Sequence, residues 1–182
     1  MPSLQKEIVK CLACSEPLTI NQTKKKIHKE YAATHRAFQS LKRKQIIKEV
    51  SIKKWQGRKY KTYWLTEKGI LAALILGASP KIMLTYASQV YPENNILNFT
   101  LKAAQYVNPN IFRIPYASID EKKALDISDV ISVLAIQMTS ETNEQNIEAL
   151  LETIKSFPEY YMLVKQFLES FTEMLLRIKA KL

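Results

Sequence analysis

The sequence predicts a mainly α-helical protein with one small β-hairpin, and three observations support this prediction. Between 41 and 69 the apolar pattern changes from helical spacing to two alternating runs and then returns to helical spacing. Gly57 is the only glycine between those runs and marks the hairpin tip, because a positive φ costs glycine little. Beyond Pro80 every convincing apolar pattern is helical.

Three helices are predicted before the hairpin. Residues 3–13 carry apolar side chains at helical spacing, and Glu16-Pro17 ends that helix because the residue before proline avoids the helical region. Thr19 and Asn21 offer N-caps for a short second helix over 21–29. The third helix covers 32–44 and turns inward a stripe formed by Thr34, Ala37, Phe38 and Leu41. Its outward face consists of His35, Arg36, Gln39 and Arg43.

The hairpin strands are predicted over 47–54 and 59–65. Tyr63 and Trp64 are neighbours on the second strand and face opposite sides, so at most one of them is expected to be buried on the helices. Thr66 is placed to cap a fourth helix that continues to about Leu76. Three helices followed by a hairpin form a winged helix-turn-helix domain, which we place at 1–77. Gly77 and Pro80 mark its boundary with an all-helical domain at 80–182.

The second domain is expected to contain helices broken at Pro92, near Pro109 and Pro115, around 139–142, and at Pro158. Its last helix carries apolar residues in an alternation of three and four, which is heptad spacing. One side of this helix is predicted to pack in its own chain and another to form a dimer interface through Val164, Leu168, Phe171, Leu175 and Ile178. The alternative is a core helix that is fully buried within one chain.

Charge is distributed very unevenly along the chain. Residues 1–70 hold 17 Lys or Arg and 5 Asp or Glu, a net of +12, whereas 71–182 hold 10 and 12, a net of −2. A compact domain with such an excess attracts polyanions by counterion release, and duplex nucleic acid is the commonest such partner. A solvated basic surface without a partner is the alternative.

The composition also limits where the protein acts. The longest apolar run, 70–78, is about half of the roughly 18 residues that a membrane-spanning helix needs. The N-terminal residues carry charges where a signal peptide has an apolar core, so we expect a cytoplasmic protein with no membrane partner. Two cysteines, at 11 and 14, do not form a disulfide framework and suit a reducing compartment.

Two motifs resemble a known family. The segment 41–47, LKRKQII, resembles the L-x-x-x-G-L-I close of a winged-helix recognition helix. The segment 63–69, YWLTEKG, resembles the Y-x-L-T-x-x-G close of its wing. The resemblance is to prokaryotic winged-helix transcription regulators of the MarR and PadR kind, and it covers about residues 3–76. It implies a homodimer that places the recognition helix in the major groove of double-stranded DNA and the wing on the backbone or minor groove.

The resemblance assigns roles by position. Base reading is expected from His35, Arg36, Gln39 and Arg43. Phosphate and wing contacts are expected from Lys24, Lys25, Lys26, Lys53, Lys54, Arg58, Lys59 and Lys61. Gln45 departs from the pattern because the family usually has glycine there, and a left-handed conformation would cost a glutamine on the order of 1 kcal/mol. The turn after the third helix could therefore differ from that of the family.

Metal binding and catalysis are the competing chemistries. The order Cys11, Cys14, His28, His35 approaches a zinc-finger pattern, but the last gap is too long and the cysteines fall in an apolar helical stripe. We therefore interpret the cysteines as small buried hydrophobic residues and expect no metal and no cofactor. His28 is expected to face phosphate or solvent. The chain has no phosphate loop and no convergent nucleophile and base, which favours a protein that is not an enzyme.

Three further hypotheses remain open. Basic residues interleaved with the wing aromatics Trp55, Tyr63 and Trp64 also suit single-stranded nucleic acid, where bases stack on rings. The winged helix could instead be a protein- or RNA-interaction module, with the helical half as its scaffold. The third hypothesis is that a small-molecule effector binds in the second domain, in an apolar pocket lined by Phe99, Tyr106, Phe112, Tyr116 and Met138. Ordinary core packing is the alternative for those five side chains.

Overall fold

The chain is described by a computed structural model, which covers residues 1–55, 58–122, 124–140 and 143–179. Within these ranges the side chains at 53–55, 58, 120–122, 175, 177 and 178 are outside the described part. The predicted fold class is confirmed: the described chain is mainly helical with a single antiparallel hairpin. The N-terminal elements are α1 Ser3–Ala13, α2 Ile20–Ile27, α3 Tyr31–Arg43, β1 Ile47–Trp55, β2 Arg58–Leu65 and α4 Glu67–Ile75.

Local capping signals set the bounds of α2, and the apolar pattern sets the buried side of α3. Thr19 caps α2 through a complete capping box with Gln22, so the helix starts at Ile20 rather than at 21. It ends at Ile27 rather than at 29 because His28 adopts a left-handed conformation, with φ 52°. The inward stripe of α3 is confirmed, since Thr34, Ala37, Phe38 and Leu41 are all buried.

The strands β1 and β2 pair in antiparallel register from Ile47 opposite Leu65 to Trp55 opposite Arg58, with an irregularity between Glu49 and Ser51. Leu18, which precedes α2, adds an isolated antiparallel bridge to Tyr63. That bridge ties the helical part of the winged helix to the hairpin. The predicted tip residue, Gly57, lies outside the described residues.

The turn after α3 is left-handed despite the absence of glycine. Gln45 has φ 55°, the amide of Ile46 donates to the Leu41 carbonyl at 2.9 Å, and the amide of Gln45 donates to the Lys42 carbonyl at 3.0 Å. These two bonds make a Schellman motif, and the buried side chains of Leu41 and Ile46 supply its usual hydrophobic contact. Gln45 therefore takes the conformation that the family gives to glycine, and the different turn that we considered from the sequence does not occur.

Residues Thr66 and Gly69 join the hairpin to this turn. The Thr66 hydroxyl accepts from the Gly69 amide at 3.0 Å, which confirms it as the N-cap of α4. The same hydroxyl donates to the carbonyl of Gln45, and the Thr66 amide donates to the Ile46 carbonyl at 3.0 Å. A Cβ atom built on Gly69 would overlap the carbonyl oxygen of Ile46. The L-T-x-x-G motif thus seats α4 directly on the end of α3.

The expectation that only one of Tyr63 and Trp64 is buried is wrong. Tyr63 is 8% exposed and packs edge-on against Phe38 of α3, with ring centroids 5.4 Å apart. Trp64 is 0% exposed, and its indole nitrogen donates to the carbonyls of Leu12 at 2.9 Å and Ser15 at 3.0 Å. Both faces of β2 are covered at this point because the end of α1 covers the second face.

The C-terminal half contains helices and one 3-10 turn in its described part. Their bounds are α5 Pro80–Val90, α6 Asn95–Ala103, the 3-10 turn Pro109–Phe112, α7 Arg113–Lys122, α8 Ile127–Ser140, α9 Glu144–Lys155 and α10 Pro158–Lys179. The expected break near Pro115 is wrong, because Pro115 lies in the first turn of α7, where a missing amide hydrogen costs nothing. The break between α7 and α8 was not predicted.

The two halves share a core. Helix α4 is buried along most of its length and packs against α7 and the 3-10 turn as well as against α1. In the C-terminal half, α10 packs on α8 and α9, and Phe99, Phe157 and Tyr160 form an aromatic cluster. Division into two domains at 77–80 stays a prediction, and α4 is the element through which the halves meet.

Candidate nucleic-acid interface

The outward side of α3 presents hydrogen-bonding and cationic side chains to solvent. Arg36, Gln39 and Arg43 are exposed, and His35 is half-buried. These four side chains project opposite the buried stripe because the helical repeat separates the two faces. We call His35, Arg36, Gln39 and Arg43 the recognition face. It is an uninterrupted surface of the side-chain types that pair with base edges.

Three lysines lie in the last turn of α2. Lys25 and Lys26 are exposed and Lys24 is half-buried. Their charges favour the helix itself, because cations at a C-terminus complement the helix dipole. Only residues 28–30 separate this turn from α3, so the lysines lie close to the N-terminal end of α3.

The wing contributes fewer free charges than the sequence suggests. Lys59 and Lys61 are exposed, but the Lys61 ammonium lies 2.9 Å from a carboxylate oxygen of Glu49 on the paired strand. The hydrogen bond to Glu49 raises the pKa of Lys61 and partly compensates its charge. The side chains of Lys53, Lys54 and Arg58, also predicted to contact DNA, lie outside the described residues.

One exposed residue beside the recognition face was missed. Tyr31 is the first residue of α3, is 49% exposed, and its ring centroid lies 5.9 Å from that of His35 with the planes tilted by 30°. The sequence prediction began the helix at 32 and so left Tyr31 in the preceding loop. The signal that could have found it is the spacing of four residues between Tyr31 and His35, which brings side chains together on a helix.

A polar joint links the start of α4 to the C-terminal half. The Glu67 carboxylate accepts from the side-chain amide of Asn94, and it accepts from the backbone amide of Leu125 at 2.9 Å. The Tyr91 hydroxyl donates to the Leu65 carbonyl at 2.7 Å, and the Lys48 ammonium lies 4.0 Å from the Tyr91 ring centroid. Burial raises the pKa of Tyr91 and lowers that of Lys48. The joint fixes how the hairpin base sits on the second half.

The cysteines and histidines do not converge as a zinc site would require. In the described part of the chain, no group of three or more His, Cys, Asp or Glu side chains is arranged to hold a metal ion. The interpretation of both cysteines as buried is wrong for Cys14, which is exposed at the C-cap of α1. Cys11 is half-buried, and burial raises the pKa of its thiol. His28 is exposed, as expected.

The residues predicted for a dimer interface have different environments on α10. Val164 is 3% exposed and lies in the core of its own chain, so it has little surface left for a partner. Leu168 and Phe171 are half-buried, whereas the side chains of Leu175 and Ile178 are outside the described residues. Among the described side chains of α10, the large exposed apolar ones are Tyr161, Met162, Leu163, Met174 and Leu176. Tyr161 continues the predicted heptad spacing, three residues before Val164, whereas the other four lie off the heptad positions.

Two of the five residues suggested for an effector pocket are core residues. Phe99 and Phe112 are fully buried, and Phe99 packs on Phe157 and Tyr160. Tyr106, Tyr116 and Met138 are half-buried and pack against the same core. Their packing is that of ordinary core side chains.

Neither a protein-family model nor a curated protein matches this chain. Within the described residues no helix is both long enough and apolar enough to cross a bilayer.

Proposed function

We propose that the N-terminal winged helix binds double-stranded DNA and that the protein is a sequence-specific transcription regulator. The supporting observation is the recognition face: Arg36, Gln39 and Arg43 are exposed together on one side of α3. They belong to a segment whose net charge is +12, which is the electrostatic footprint expected of a polyanion-binding domain.

The side chains divide into two roles. Arg36 suits guanine, which offers two acceptors in the major groove, and Gln39 suits adenine, which offers a donor and an acceptor. The lysines of α2 and the cations of the wing contact phosphates, which sets register but carries no sequence information. Since Lys61 is engaged by Glu49, Lys59 and Arg58 carry more of the wing contact in this proposal.

Other ligands have weaker support. Single-stranded nucleic acid needs exposed rings on which bases stack, but the hairpin aromatics Tyr63 and Trp64 are buried and Tyr60 is half-buried. A protein-interaction module has little need of a +12 excess on seventy residues. An effector bound in the C-terminal half would act through the hydrogen bonds of Glu67 and Tyr91, which connect the start of α4 and the hairpin base with the second half.

The proposal is tested with the purified protein and a random-sequence duplex, by fluorescence anisotropy from about 50 to 200 mM salt. Six to ten phosphate contacts predict a loss of about three to five decades of affinity over that range. Arg58→Glu combined with Lys59→Glu should weaken binding to every sequence and reduce the salt slope by about 2. Absence of binding at low salt would reject DNA binding, and unchanged affinity of the variant would remove the wing from the interface.

We also propose a homodimer formed through α10, because Leu163, Phe167 and Met174 lie on one side of that helix, with Leu163 and Met174 exposed and Phe167 half-buried. Light scattering should give twice the mass of one chain. Leu163→Asp combined with Met174→Asp places charges on two exposed positions of that side and should halve that mass without unfolding the chain. Gln166→Asp, at an exposed polar position of the same helix, should leave the mass unchanged. A wild-type monomer at micromolar concentration would contradict the dimer.

A further inference from the structure

The N-terminal turn of α3 differs in character from the rest of the exposed helix. Tyr31 and Ala32 are exposed and Ala33 is half-buried, so residues 31–33 offer apolar surface and no charge; the exposed Glu30 precedes them as the N-cap. The polar recognition face begins one turn later, at His35. In helix-turn-helix proteins the N-terminal residues of the recognition helix are those that reach base edges.

Tyr31 is held in place although about half of it is exposed. Its ring lies against the imidazole of His35, at 5.9 Å between centroids. Tyr31 lies seven residues before Phe38, about two turns, and so on the same side of α3; Phe38 packs against Tyr63 of the hairpin, which places Tyr31 on the wing side of the helix. The ring therefore presents an oriented apolar face between the recognition face and the hairpin.

The chemistry of the bases limits what the ring of Tyr31 can contact in the major groove. The floor of that groove presents hydrogen-bond donors and acceptors and one apolar group, the 5-methyl of thymine. Alanine and aromatic side chains are known partners for that methyl. The small side chain of Ala32, next to Tyr31, lets the helix end approach the base pairs closely.

We propose that Tyr31, with Ala32, reads a thymine methyl, and that the site bound by this protein contains an A·T pair under the N-terminal turn of α3. The assignment rests on the proposed DNA-binding function and adds a specificity-determining residue to it. Tyr31 carries no charge, so it contributes discrimination between sequences rather than affinity for phosphate.

The test uses a duplex enriched by the protein from a random 20-bp library, and the same duplex with each thymine in turn replaced by deoxyuridine. Deoxyuridine removes only the methyl group and keeps every hydrogen bond. The wild-type protein should lose about three- to tenfold in affinity at one or two thymines, which corresponds to burial of one methyl group. Replacement at the other thymines should have no effect.

Variants of Tyr31 separate the ring from its hydroxyl. Tyr31→Ala should bind the thymine duplex more weakly and show no loss with deoxyuridine, while its salt slope stays unchanged. Tyr31→Phe should retain the deoxyuridine effect, because the ring and not the hydroxyl makes the contact. The exposed position allows both variants to fold, and the far-ultraviolet circular dichroism of each verifies it.

The outcomes distinguish the two proposals. Failure to enrich or bind any duplex rejects the DNA-binding function and this inference with it. Tight duplex binding with no thymine sensitive to deoxyuridine, or equal sensitivity in Tyr31→Ala, overturns the inference alone. Weaker binding and a smaller salt slope in Tyr31→Phe would assign the hydroxyl to a phosphate and also overturn it.

Discussion

Replacing Gly69 with alanine is expected to lower the free energy of unfolding by about 3 kcal/mol or more, at the upper end of what overpacking a core costs. The added methyl carbon would overlap the carbonyl oxygen of Ile46 and lie 3.1 Å from its carbonyl carbon and 3.2 Å from the Leu65 Cβ. Backbone atoms cannot rotate away as a side chain can. The carbonyl of Ile46 is also fixed by the Thr66 amide, so relief would require α4 to move away from the turn that ends α3.

Helix propensity predicts the opposite sign. Gly69 lies in the first turn of α4, and alanine is favoured over glycine within helices by about 1 kcal/mol. The overlap outweighs that gain because the added Cβ is fixed directly to the backbone of α4 and meets a backbone carbonyl of Ile46, so neither atom can move without moving the main chain. A stabilised Gly69→Ala variant would show that α4 can move away from Ile46 at little cost.

Gly77→Ala is the matched control. Gly77 has φ 79°, and a Cβ atom there would meet nothing within 4 Å. Alanine at this position should cost only the strain of a left-handed conformation, about 1 kcal/mol. Urea unfolding of both variants, followed by circular dichroism, gives the two free energies of unfolding. A cost for Gly69→Ala no larger than that for Gly77→Ala would contradict the close approach of α4.

Reversing the charges of the recognition face is expected to remove most duplex DNA binding. Arg36 and Arg43 are seven residues apart, about two turns, and both are exposed. Each arginine that pairs with a base supplies about 1 to 3 kcal/mol, so Arg36→Glu with Arg43→Glu should lower affinity for the enriched duplex roughly a hundredfold or more. Glutamates near phosphates add repulsion to that loss.

The control keeps the same change in net charge on the other half of the chain. Lys81→Glu with Arg113→Glu alters two exposed cations in the first turns of α5 and α7, where acidic side chains suit the helix dipole. Anisotropy at about 100 mM salt should then show little change relative to wild type. Equal losses in the two double variants would mean that net charge alone, and not the recognition face, governs binding. Circular dichroism checks the fold, since Glu at 43 opposes the dipole at the end of α3.

Local signals in the sequence determined the elements of the winged helix. Periodicity identified the buried stripe of α3, and proline and cap residues located the ends of α1 and the start of α4. The exposure of Arg36, Gln39 and Arg43 followed from that stripe, because a helix that buries one side exposes the other. These features depend on side chains within a turn or two of each other, which is the range that a sequence pattern records.

The tertiary structure decided how those elements meet. The left-handed turn at Gln45 is fixed in place by Thr66, 21 residues further along the chain, whose hydroxyl donates to the Gln45 carbonyl. Trp64 is buried because α1 and the turn after it, far away in sequence, provide the carbonyls of Leu12 and Ser15 as acceptors for its indole. Glu67 joins the halves through groups 27 and 58 residues further along the chain. Each of these contacts depends on distant groups meeting in space, and local spacing carries no information about such meetings.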